Sequence, residues 1–100
     1  MTATYDITEH QAILMLEALN AAALLPARHV QEVMDCDAIT ARVRIRETVE
    51  QITAGDITDQ TISRSRRAII EASYTHPIAD NQNEYRRLNI QLAAMIAGAA

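Results

Sequence analysis

The residues of this chain best able to do chemistry are three histidines, one cysteine and a scatter of carboxylates. His29, Glu32 and Cys36 fall at i, i+3 and i+7, a spacing that sets all three on one helical face, as a partial metal site requires. No second cluster supplies the further ligands of a closed tetrahedral site, so no metal and no cofactor are expected. Cys36 lies between Asp35 and Asp37, and neighbouring carboxylates raise a thiol pKa, which argues against a reactive thiolate. His10 and His76 stand beside no nucleophile in the sequence. All nine basic residues are Arg, which excludes Schiff-base or phosphate-loop chemistry built on Lys. With neither a glycine-rich phosphate loop nor a nucleophile elbow, the sequence reads as non-enzymatic.

What remains is a set of elements that present charge. One hundred residues suit a single domain, 1–100, and 49% hydrophobic against 22% charged residues is an ordinary globular mix. Thr8-Glu9-His10-Gln11 has the form of a capping box, so a helix is expected from there to about Ala23, with Ala12, Met15, Leu16, Leu19, Ala22 and Ala23 inward. Pro26 suits the first turn of a short second helix carrying Val30, Val33 and Met34. Asp37 can cap a third with Ile39, Val43, Ile45, Val49 and Ile52 inward, closed by Gly55. Thr58 caps a fourth, with Ile62, Ala68, Ile69 and Ala72 inside, and Thr75-His76-Pro77 breaks it.

A fifth helix is expected from Asp80 or Asn81 to Gly98, with Tyr85, Leu88, Leu92 and Met95 in an a/d pattern. That seam closes the core or, as the alternative, forms a homodimer through residues 81–97. No stretch alternates over strand length. The expected fold is an all-α bundle of about five helices. A single cysteine, no basic-then-apolar leader and a longest apolar run of five residues, Ala21 to Leu25, place the chain in a reducing cytoplasm and out of the membrane.

The formal charge of −4 is unevenly placed. Residues 1–41 carry six acids against one Arg, whereas residues 42–71 carry six Arg against five acids. On the first helix Glu9, Ile13 and Glu17 share the face opposite the core stripe, so that an apolar residue is framed by carboxylates, and Glu32, Asp35 and Asp37 form a second acidic patch. An apolar residue ringed by one sign of charge suits a steered protein interface, here with a basic surface of a nucleic-acid-binding complex. The bland reading of the same residues is a solvated face with one exposed Ile.

Gly55-Asp56-Ile57-Thr58-Asp59-Gln60-Thr61-Ile62-Ser63-Arg64, followed by Ser65-Arg66-Arg67, resembles the turn and recognition helix of Trp-repressor-like helix-turn-helix proteins, with Ala41 to Ile45 similar to the helix before it. Over residues 37–70 that resemblance implies that Thr58, Gln60, Thr61 and Arg64 face duplex DNA and that Arg66 and Arg67 clamp its backbone. The plainer reading of this segment is a capped helix whose Arg residues pair with Glu50, Asp56 or Glu71. In size, acidity, helical content and lack of catalytic motifs the chain is similar in character to the small phage-encoded inhibitors of bacterial defence known as anti-CRISPR proteins, which share no motif as a class. That likeness implies an inhibitor of a nucleic-acid-handling complex.

Overall fold

The computed structural model describes residues 4–99. Five helices follow in order: α1 Glu9–Ala23, α2 Ala27–Met34, α3 Ala38–Ala54, α4 Asp59–Thr75 and α5 Ala79–Ala99. The all-α bundle expected from the sequence is what forms. Its radius of gyration, 12.7 Å, matches the roughly 13 Å of a compact chain of this length. No helix among the described residues is long and apolar enough to cross a membrane.

The local signals act where they stand. The Thr8 hydroxyl accepts from Gln11 N at 3.0 Å while Gln11 Oε1 accepts from Thr8 N at 2.9 Å, the reciprocal pair of a capping box. Asp37 caps α3, and Thr58 caps α4 with the Thr61 hydroxyl accepting from Thr58 N in return. Pro26 is the N-cap of α2 rather than its first residue. Gly55 ends α3 at φ 77°, a left-handed conformation that glycine adopts without a Cβ penalty. Asp35 ends α2 at φ 55°, the single positive-φ residue other than glycine among those described. Helix α5 begins at Ala79 and runs past Gly98, so Gly98 does not end it.

Helix α4 is the mast of the bundle, touching α1, α2, α3 and α5. It can be surrounded because its buried face mixes Ile62, Ala68, Ile69 and Ala72 with small hydroxyl residues. The Ser65 hydroxyl donates to Thr61 O and the Ser73 hydroxyl to Ile70 O, so these side chains bury no unmet donor. Helix α5 lays Tyr85, Leu88 and Leu92 in the core, largely against α4. It meets α1 through polar bonds: His10 to Glu84, Gln11 to Gln91 and Tyr85 to Glu17.

Two expectations for the core are corrected. Ile39 is 79% exposed and Val43 half-buried; the inward stripe of α3 is Ala41, Ile45, Thr48 and Ile52. Small residues at two of those positions let α3 approach its neighbours, and the Thr48 hydroxyl is satisfied by Arg44 O at 2.7 Å. The turn residue Ile57 is also fully in the core, 2% exposed. It precedes the Thr58 cap, and its partner four helical positions on is the buried Ile62, the arrangement of a hydrophobic staple. Tyr5 N donates to Ile57 O at 2.8 Å, which pins the N-terminal strand-like segment over this turn.

The two left-handed helix ends give opposite expectations. Gly55→Ala adds a Cβ that meets no atom within 4 Å, so its cost is conformational strain alone, about 1 kcal/mol. Asp35→Gly removes such strain and raises the urea midpoint or leaves it unchanged. Paired denaturation curves check both signs.

Candidate protein-interaction surface

The outward face of α1 is a continuous stripe. Glu9, Ile13, Glu17 and Asn20 are all exposed, and the face ends at Leu24, the C-cap residue. Ile13 is 45% and Leu24 87% exposed, and the two lie about 16 Å apart along the helix with Glu17 between them. Leu24 is absent from the sequence-derived set. Its position eleven residues after Ile13, three turns on the same face, is the signal that finds it.

Glu17 is exposed yet held in place. Tyr85 is 3% exposed and its hydroxyl donates to Glu17 Oε2 at 3.3 Å. Burial, then the Glu17 carboxylate, push the Tyr85 phenol up to about 12, so it keeps its proton, and this bond, across the neutral range. The stripe thus presents two carboxylates around an isoleucine on a rigid helix.

Glu32, Asp35 and Asp37 lie together around the end of α2, all exposed, but on a different element from Glu9, Ile13 and Glu17. Cations are interleaved with them: Asp35 Oδ2 is 4.0 Å from Arg67 Nη2, and Glu32 lines a shallow recess with His29 and Arg67. Asp37 is committed to its cap. The Thr40 backbone N–H and hydroxyl hold its carboxyl below the usual aspartate value. The second patch is therefore less acidic in effect than its sequence implies.

The histidines are distributed singly. His29 Nε2 lies 2.7 Å from Glu71 Oε1, an ion pair when the ring is protonated but off the line of a directed hydrogen bond. Buried Oε1 has no hydrogen-bond partner among the described residues. His10 pairs with Glu84 at 3.1 Å, and the His76 ring lies against Tyr85 with its Nδ1 accepting from Ile78 N. His29, Glu32 and Cys36 do not converge, and no three such ligands do among the described residues. The recess between α1 and α4, lined by Ala18, Ala22, Ala68, Ala72 and Tyr85 among others, is small and apolar, about 170 Å³.

The residues of the helix-turn-helix resemblance are largely occupied inside the molecule. Thr61 is fully buried, its hydroxyl 3.1 Å from both Gln51 Oε1 and Asp56 O, so it cannot touch a base. The Thr58 hydroxyl holds the cap. Arg64, with a side chain 17% exposed, pairs with Glu47 at 3.3 Å; Arg66 Nε donates to Asn89 Oδ1 at 2.8 Å; Arg67 reaches Val33 O and Asp35. These partners differ from the Glu50, Asp56 and Glu71 expected from the sequence. Gln60 alone of the six is exposed without a bond to another residue described here. A recognition helix must project its exposed side into a groove, and the exposed stripe of α4, Gln60, Ser63, Arg67, Ile70 and Tyr74, carries one arginine, already 4.0 Å from Asp35.

In the segment 81–97, Tyr85, Leu88 and Leu92 of the a/d seam are 3%, 2% and 0% exposed and pack in the core of the chain itself, while Met95 is half-buried.

Because Asp37 is depressed by its cap bonds, it stabilises the fold at neutral pH, and that contribution fades as pH falls through its folded-state pKa. Asp37→Ala is expected to lower the thermal midpoint at neutral pH, with the gap from the unaltered protein narrowing as the carboxylate range is crossed into acid. A pH series of melting curves reads this directly.

No protein-family model matches the chain, no curated protein is found similar to it, and no solved structure matches its fold.

Proposed function

We propose that this chain is a non-enzymatic binding protein whose α1 face docks on a basic surface of a nucleic-acid-handling protein and blocks nucleic-acid binding there, in the manner of small phage-encoded inhibitors of bacterial defence. The observation that carries the reading is the exposure of Ile13 between Glu9 and Glu17, prolonged by Leu24. The apolar pair supplies contact area and the carboxylates supply orientation and attraction toward Arg and Lys groups that would otherwise hold phosphate. Segregation of charge supports it, since six of the thirteen acids and one of the nine Arg precede residue 42. Glu32 and Asp35 would extend the contact as a secondary, partly neutralised patch. The site of action is accordingly cytoplasmic.

The bonds of Arg64, Arg66 and Arg67 leave the duplex-reading alternative with no unengaged arginine on α4.

The test has two arms. In the first, the chain is used as bait in a bacterial lysate, the captured basic protein is identified, and its nucleic-acid binding is assayed with and without the chain. Ile13→Asp combined with Glu9→Lys and Glu17→Lys should abolish both capture and inhibition, while Glu32→Arg with Asp35→Arg should weaken them less; Asp37 is left intact to preserve its cap. Undiminished capture by the α1 variant contradicts the proposal. In the second arm, the chain should not retard duplex DNA at low salt; a salt-sensitive shift abolished by Arg64→Ala and Arg67→Ala would favour the repressor reading instead.

A further inference from the structure

We propose that the face shared by the end of α1 and the exposed side of α3 from Ile39 to Glu50 is a self-complementary surface that takes a second copy of this chain. The two most exposed large apolar side chains among the described residues, Leu24 at 87% and Ile39 at 79%, both belong to it. Their elements are joined there: Arg42 Nη2 donates to Leu25 O at 3.1 Å, fixing the start of α3 against the end of α1. Ile39, Arg42 and Arg46 follow at i, i+3 and i+7 along one exposed side of α3. Between the helices runs a groove of about 340 Å³, walled by Asn20 and Ala23 on α1 and by Arg42, Arg46, Val49 and Glu50 on α3.

The charges say what fits. Among the described residues, neither Arg42 nor Arg46 lies within ion-pair distance of a carboxylate; Glu50 lines the same groove, and Glu17 is exposed one turn before Asn20 on α1. Two cations and two anions make it neutral in sum, with Glu17 on the α1 side and both arginines on the α3 side. A partner of one sign would be attracted by one half and repelled by the other. A second copy turned about a two-fold axis sets each carboxylate edge on the other's arginines and covers Leu24 and Ile39 of both chains. Two molecules of net charge −4 repel over most of their surfaces, so a locally neutral apolar face is where they can approach. The outer side of α4 and α5 does not qualify. Ile70, Tyr74 and Ile90 are exposed there too, but beside Arg67, Arg86 and Arg87, and a symmetric contact would bring Arg against Arg.

This contact shares Glu17 and Leu24 with the proposed partner surface, so a dimer would compete with that partner, and Ile13 and Glu9 on one side and Ile39 on the other separate the two. Sedimentation velocity of the full chain over a wide concentration range should show monomer passing to a species of twice 11.1 kDa and no further. Leu24→Glu and Ile39→Glu alter exposed side chains, so helicity and melting should persist while self-association weakens about tenfold or more, because each would bury an unpaired carboxylate. Ile13→Asp should leave the dimer intact. A chain with Glu50→Arg, and another with Arg46→Glu, both leaving the Arg42 bond to Leu25 in place, should each self-associate more weakly than the unaltered chain and pair with each other more tightly than either does alone. A protein that stays monomeric at every concentration, assembly growing beyond two copies, a dimer indifferent to Leu24→Glu and Ile39→Glu, loss of the dimer with Ile13→Asp, or failure of the charge-swapped chains to pair more tightly than either does alone would each overturn the inference.

Discussion

The packing of α4 against all four other helices is the constraint on which the rest of this structure depends. A helix touched by four others cannot present bulky side chains in every direction, and α4 meets the demand with Thr61, Ser65, Ala68, Ala72 and Ser73 among its branched residues. Burying hydroxyls is costly unless each finds an acceptor, and here each does so within or beside its own helix. Close approach of α1, α3 and α5 to this mast is the result. It also fixes where the long arginines of α4 go. Leaving its flanks, they fasten onto Glu47 of α3, Asn89 of α5 and the end of α2, so they serve as struts between elements.

Surface for recognition comes from the sides of helices that the core leaves uncovered. Helix α4 keeps one at Ser63, Arg67, Ile70 and Tyr74, and α1 and α3 each keep one that mixes apolar side chains with charge. On α1 that side carries Glu9, Ile13, Glu17 and Leu24; on α3 it carries Ile39, Arg42 and Arg46. Both faces mix exposed apolar groups with charge, yet they differ in balance. The N-terminal part of α1 is acidic and suits a basic partner, whereas the junction with α3 is neutral in sum and suits its own kind. The Tyr85 hydroxyl ties Glu17, the residue where the two faces meet, to the core.

The fold was legible wherever it is decided locally. Thr8, Asp37, Thr58 and Gly55 each bond to residues within a turn, so the sequence alone places four helix ends. The phase of α3 was not legible, because preferring branched aliphatics selects Ile39 and Val43, while close packing selects Ala41 and Thr48. Ile57 was missed although a staple pattern, an apolar residue before a capping Thr with Ile62 beyond it, marks it. Of the candidate surface, Glu9, Ile13 and Glu17 were readable from helical spacing. The neutralisation of Asp35 by Arg67 and the capture of Arg64 and Arg66 were not, since those partners lie 17 to 32 positions away in the chain and only the tertiary structure brings them together.

The central claim is that α4 is the central mast, packed on all four other helices, and that its arginines are internal fasteners. Native-state hydrogen exchange resolved to single amides tests it most directly. The backbone amides of residues 61–73 should be the slowest in the protein, exchanging only through global unfolding, with α2 opening at much lower free energy. Exchange from α4 as fast as from α2, with the slow core located elsewhere, would contradict the account.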